Sequence, residues 1–158
     1  AIHTLDIMLL LCGPVKEVHG MVHTSSFHQL EAEDFSGALL NFESGARGTL
    51  MASTTHFPGH KEEIILNCSE ATVNISGADL KVFYQNGKIE SLETDSQTGS
   101  GSDPMDFSYT WHANVIEQFW TQFTKNQQIE ISAESALPVQ QLIDAIVRSS
   151  KFEKKVTV

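Results

Sequence analysis

Phe35-Ser-Gly-Ala-Leu-Leu-Asn-Phe-Glu-Ser-Gly45-Ala-Arg-Gly-Thr-Leu-Met-Ala-Ser53 is the stretch that decides the fold. Between residues 35 and 43 the pattern alternates, so Ala38, Leu40 and Phe42 share one face of a strand. Ser44-Gly45 is a tight-turn signal. From residue 46 to 55 the alternation resumes, with Thr49, Met51 and Ser53 opposite Leu50 and Ala52. Two alternating runs across a glycine turn predict an antiparallel pair.

Upstream, residues 15–24 alternate as another strand. Val15, Glu17, His19, Met21 and His23 are expected on one face. The polar connector Glu31-Ala-Glu-Asp34 joins this strand to the hairpin. Residues 2–12 have helical period, with Ile2, Leu5, Leu9 and Cys12 on one face and Gly13-Pro14 as the stop. No capping residue precedes that helix. The expectation is that the chain opens inside it, after an N-terminal neighbour that holds half of the active site.

Downstream, Phe57-Pro58-Gly59-His60 reads as a loop, followed by strands at 62–68, 71–76 and 80–85. Asn86-Gly87 predicts a two-residue turn into a strand at 88–94. Residues 96–106, rich in Ser, Gly and Asp, read as the longest loop. Helical period resumes at Ser108. Its stripe is Trp111, Val115, Phe119, Gln122 and Phe123, flanked by Ile116 and Trp120, with Trp111 in the core. Ser132 is an N-cap candidate for a third helical segment. Pro138 predicts a break and restart there. Val139, Leu142, Ile143, Ile146 and Val147 then form the buried face, and residues 155–158 a last strand. The fold class is α+β: one large, mostly antiparallel open sheet of about six or more strands, with about three helices on one face. Residues 1–158 read as one domain, whose open sheet face is expected to meet a partner subunit.

Composition narrows the function. Among 158 residues, 41% are hydrophobic and 19% charged, which suits a globular domain with a real core. Twenty acidic against ten basic residues give a net charge of −10, which argues against nucleic acid and anionic membrane surfaces. No apolar run approaches the ~20 residues that span a bilayer. Cys12 and Cys68 sit in apolar periodic segments and are expected as buried free thiols, in keeping with a reducing, cytoplasmic setting. His19/His23 and His56/His60 are spaced by four. On a strand that separates them by about 13 Å, too far for one metal, so no metal site is expected. No Gly-x-Ser-x-Gly elbow supports a hydrolase.

Several segments, in order, resemble the C-terminal domain of the Gfo/Idh/MocA family, the glucose–fructose oxidoreductase and inositol dehydrogenase group. Ala1-Ile-His3-Thr-Leu-Asp6, with Leu9-Leu-Leu-Cys-Gly13-Pro14-Val15, resembles the family's Gly/Ala-x-His-x-x-Asp helix and the strand after it. Glu33-Asp34 and residues 38–53 resemble its paired strands. His112 to Phe119, ending in Glu117-Gln-Phe119, resembles a family helix. Residues 132–150 resemble the closing helix, and Val156-Thr-Val158 the terminal strand.

The resemblance implies an oxidoreductase that uses NAD or NADP and acts on a sugar or polyol hydroxyl. The family's nucleotide-binding domain is a separate Rossmann domain, which also supplies a lysine near the substrate. In this chain Gly99-Ser-Gly101 is not followed by a suitable helix and does not make a nucleotide loop. The cofactor domain is therefore expected to lie outside these residues, and the fragment alone is expected to be inactive and to bind no cofactor. His3 is the implied catalytic residue, since hydroxyl oxidation needs a group that takes a proton as hydride leaves. Asp6, one turn on, would support it. His60, Tyr109 and His112 are the implied substrate-binding residues. The implied partners are the small-molecule substrate and further copies of the chain, as a homodimer or tetramer through the open sheet face. Two other classes remain open: a non-catalytic dimerisation module and a sugar-sensing module.

Overall fold

A computed structural model describes residues 1–28, 30–93 and 109–158. In chain order the elements are α1 (Ile2–Cys12), β1 (Val15–His23), β2 (Phe35–Phe42), β3 (Arg47–Ser53), β4 (Glu63–Asn67), β5 (Ala71–Ser76), β6 (Asp79–Tyr84) and β7 (Ile89–Leu92). There follow α2 (Thr110–Thr124), a 3-10 turn (Glu134–Ala136), α3 (Leu137–Phe152) and β8 (Val156–Thr157). The loop read at 96–106, the glycines of Gly99-Ser-Gly101, the strand end at Thr94 and the helix start at Ser108 lie outside the described residues. Among the described residues the chain is α+β, with three helices and antiparallel, open sheets. The eight strands of the described residues divide into two four-stranded sheets rather than one, in the orders β3-β2-β1-β8 and β4-β5-β6-β7. Phe57-Pro58-Gly59 interrupts the alternation after β3, so β3 and β4 are each left as edge strands. Two compact units result: Ala1–His56 with Ser132–Val158, and Phe57–Ile131.

In the first unit the hairpin forms as its pattern dictates. Ala38, Leu40 and Phe42 point inward and are buried, while Leu39 and Met51 face out. Phe42 and Ala46 close the turn through Phe42 N–H to Ala46 O (2.9 Å) and Gly45 N–H to Phe42 O (3.0 Å). Gly45 sits at φ 88°, in the left-handed region where glycine carries no Cβ penalty. β1 departs from simple alternation. A bulge sets Val15 and Lys16 against Phe42 alone, which turns Val15 inward together with Val18. Val15 is therefore a core residue and does not share the face of His19, Met21 and His23.

The core is closed by α3. Pro138 lies in its first turn, after the 3-10 turn, where a missing N–H costs no helix bond. Val139, Leu142, Ala145 and Ile146 are buried against Val18 and Leu40, and Leu5 of α1 joins them. Met8, Leu9 and Cys12 pack at its edge, whereas Ile7, Leu10 and Leu11 are exposed. Two helices thus share the core of this sheet. α3 approaches β1 closely at Gly20, where a Cβ would meet Ile146 O at 2.7 Å and Ile146 Cγ2 at 2.9 Å. β8 is short and pairs only with Glu17 and Val18. Beyond it, serine hydroxyls on α3 take over: Gly20 N–H donates to Ser149 Oγ (2.9 Å) and Val22 N–H to Ser150 Oγ (3.0 Å).

The second unit contains a meander of two-stranded steps. Ile64, Leu66, Val73, Ile75, Leu80 and Val82 share one face and are half-buried. The β6–β7 turn holds three residues, Gln85-Asn86-Gly87, rather than two. Tyr84 N–H reaches Lys88 O (2.9 Å) and Gly87 N–H reaches Tyr84 O (3.0 Å), with Gly87 at φ 85°. The left-handed residue thus follows the turn instead of standing within it. Cys68 is exposed, just past β4, where its N–H closes the next turn onto Ala71 O (2.9 Å). The apolar stripe of α2 is also exposed. Trp111, expected in the core, is 56% accessible because it lies on that outward stripe with Ile116 and Trp120.

Candidate functional site

His3 and Asp6 lie in the first turns of α1, one turn apart on its exposed side. Ala1 is the N-cap residue and supplies only a backbone carbonyl, bonded to Leu5 N–H at 3.0 Å. His3 is exposed in the first turn of α1. No hydrogen bond among the described residues joins His3 to Asp6.

Beside this helix start, within the first unit, lies a cleft of about 260 Å³. Leu5, Val22, Leu50 and Ile146 form its apolar floor, and Ser36, Ser53 and Thr54 bring polar groups to it. Glu33 and Asp34 add two carboxylates. An apolar floor with a few convergent hydroxyls and carboxylates is the chemistry of a small-molecule pocket.

Asp34 is the residue that sequence reasoning missed as a site group. It is only 3% exposed, the one buried carboxylate among the described residues. Its side chain accepts from Ser25 N–H (2.8 Å), from the Ser25 hydroxyl and from His28 Nδ1 (3.2 Å). Its backbone is tied as well: its N–H donates to His23 O (3.1 Å), and its carbonyl accepts from Thr54 N–H (3.0 Å) and Ser53 Oγ (3.1 Å). The bond from the Ser25 hydroxyl holds the carboxyl below its ordinary range, against the opposing pull of burial. Glu31-Ala-Glu-Asp34 reads as a solvated connector because three of its four residues are exposed. The signal was present in the strand period. Counting back in twos from Phe42, Leu40 and Ala38 gives Ser36 and then Asp34, on the inward side.

His60, Tyr109 and His112 belong to the second unit. All three are exposed, Tyr109 at 81%. Tyr109 is the N-cap residue of α2, and its carbonyl bonds Ala113 N–H at 3.0 Å, so Tyr109 and His112 stand within one turn of each other. Gln122 faces inward on the same helix. Its Oε1 accepts from Glu130 N–H (3.1 Å) and its carbonyl from Gln127 N–H (2.8 Å), which folds residues 127–130 back onto α2. The five residues read from the sequence therefore fall as two groups, His3 with Asp6 and Tyr109 with His112, and His60 on a loop of its own.

The GFO/IDH/MocA C-terminal domain family matches residues 1–74, the segment that contains α1, the first hairpin and β4. No curated protein matches the chain in sequence. Solved structures match it throughout. An oxidoreductase of Agrobacterium radiobacter, in complex with NAD+, L-tartaric acid and magnesium, is 23% identical with a TM-score of 0.71, over 99% of this chain and 47% of that one. The aldose-aldose oxidoreductase of Caulobacter crescentus, complexed with glycerol, is 16% identical with a TM-score of 0.75, over 99% and 45%. The WlbA dehydrogenase of Bordetella pertussis, in complex with NADH and UDP-GlcNAcA, is 21% identical with a TM-score of 0.74, over 100% and 43%. At these identities the likeness is one of fold, and the chain spans less than half the length of each. The family match over residues 1–74 agrees with the resemblance read from the sequence, and the solved structures agree with its fold.

Proposed function

We propose that this chain, with the GFO/IDH/MocA C-terminal domain match across residues 1–74, is the substrate-side and assembly portion of an NAD- or NADP-dependent oxidoreductase. The substrate class is a sugar or polyol hydroxyl, and the setting is cytoplasmic. The observation that carries this reading is the match itself, because it spans the helix bearing His3 and Asp6. His3 is the group that takes the hydroxyl proton, and its exposure in the first turn of α1 is compatible with that transfer. Asp6 supports it through the field of a nearby carboxylate. His60, Tyr109 and His112, all exposed in the second unit, are the proposed substrate-binding residues.

In this reading the dinucleotide is held outside the described residues. Gly13, Gly45, Gly77 and Gly87 are the glycines at positive φ. Gly13 ends a helix, and the other three stand in turns between strands. None opens a helix after a strand, the arrangement that cradles a pyrophosphate. In this reading the cofactor supplies hydride acceptance from another domain, and the residues here bind and deprotonate the substrate.

The outer face of the first sheet is the assembly surface. Met21 and Met51 flank Gly37 in one cross-strand row, with Leu39 in the next, at 59%, 78% and 61% exposure respectively.

The deciding experiment is steady-state kinetics on the full-length enzyme. His3→Gln lowers kcat by roughly 10²–10⁴ and leaves the nucleotide Kd unchanged. Near-normal turnover in that variant removes His3 from the mechanism. Micromolar NADH binding to residues 1–158 alone, by calorimetry, overturns the division of labour. Sedimentation tests the assembly surface: a monomer at micromolar concentration rejects it.

A further inference from the structure

We propose that the Asp34 carboxylate is a latch that fixes residues 24–28 as a strap and holds His28 with its proton on Nδ1. The strap is not held by packing. Phe27, its large apolar residue, is 82% exposed. Its fixed points are polar instead, and they converge on one group. Ser25 donates both its N–H and its hydroxyl to Asp34, His28 faces Asp34 with Nδ1, and Phe27 N–H closes back onto Ser25 Oγ at 3.3 Å. Thr24 Oγ1 adds a bond to Ala32 O at 3.0 Å.

A carboxylate accepts and never donates, so His28 must present Nδ1–H to it. In the neutral ring that fixes one tautomer and leaves Nε2 as the accepting nitrogen, on a side chain that is 38% exposed. A buried carboxylate persists where donors surround it, and here three donors do so. The backbone of Asp34 is anchored separately to β1 and to the end of β3. Changing the side chain therefore releases the strap and leaves the sheet paired. The structure thus carries an oriented histidine at a position outside the residues assigned to the proposed reaction.

Asp34→Asn keeps the shape but replaces one of the two accepting oxygens with an amide donor, so the donors of Ser25 and His28 can no longer all be accepted. Residue-resolved hydrogen exchange should then show the Ser25 and Phe27 amides exchanging about tenfold faster or more, with Val18 and Leu40 unchanged. Unchanged exchange at Ser25 overturns the latch. Equal acceleration at Leu40 also overturns it, since Asp34 would then be an ordinary core residue. Nitrogen-15 spectra of His28 in the unmodified protein provide a test that needs no variant: the Nδ1–H tautomer is expected, and a dominant Nε2–H tautomer rejects the proposal. Ser25→Ala, which keeps the N–H bond, should give a smaller acceleration confined to the same amides.

Discussion

The loop Glu43-Ser44-Gly45 in the first unit and Gln85-Asn86-Gly87 in the second close with the same pair of backbone bonds and the same left-handed glycine. The strands they join have different interiors. β2 sets Leu40 at 1% exposure in a core closed by α1 and α3, whereas no strand position from β4 to β7 is fully buried. Local chemistry made two equal hairpins. Burial then separated them, because a sheet gains most of its stability from what covers it.

The largest contrast should come from the interiors. Leu40→Ala removes a fully enclosed side chain and should cost about 2–5 kcal/mol. Val82→Ala, on a half-buried face, should cost about 1 kcal/mol. Denaturant titration with exchange readout in each unit checks both. Equal costs would erase the distinction between the sheets.

Gly20→Ala sharpens the same point within the first unit. The new methyl would meet the backbone of Ile146 at 2.7 Å, so α3 must move, at about 1–3 kcal/mol. The melting temperature is the measurement, and an unchanged value would mean that α3 is not seated as described.

The turns should behave as twins. Gly45→Ala and Gly87→Ala meet no atom within 4 Å, so each pays only for its left-handed backbone, about 1–2 kcal/mol. A large difference between them would show that the hairpins are not alike even locally.

The smallest expected effect is on acid stability. Asp34 has a folded-state carboxyl lowered from 3.8 by its hydrogen bonds, Ser25's hydroxyl first. Glu17 is lowered from 4.5, chiefly by Lys155 at 3.2 Å and then by Asn41. A group of this kind contributes stability that is complete above its unfolded value and lost as pH falls through the folded one. Acid titration of the first unit should therefore show weakening that starts near pH 4 and continues below it. Asp34→Asn should flatten that limb, with the tryptophan-free first unit followed by circular dichroism rather than fluorescence.

Much of this was legible in residue order. The alternation of Ala38, Leu40 and Phe42, the presence of a turn at each glycine, and the stop at Gly13-Pro14 all act within a few residues. What escaped depended on pairing across distance. The bulge that turns Val15 inward is set by register against Phe42. The exposure of Trp111 and Cys68 is decided by what lies over an apolar segment, which periodicity does not encode. The division into two sheets follows from strand partners, not strand patterns. At the candidate site, His3 and Asp6 were readable as neighbours because one helical turn relates them. Asp34 was not, because its donors come from residues six and nine positions earlier.

A strand whose N–H groups point into solvent is a template on which a stray chain can add itself. β8 shields only the first half of β1, and the groups left over are those of Gly20 and Val22. Ser149 and Ser150 occupy both with hydroxyls, which satisfy the donors yet offer no further strand to extend. Two adjacent serines on a helix thereby end a sheet that would otherwise invite misassembly.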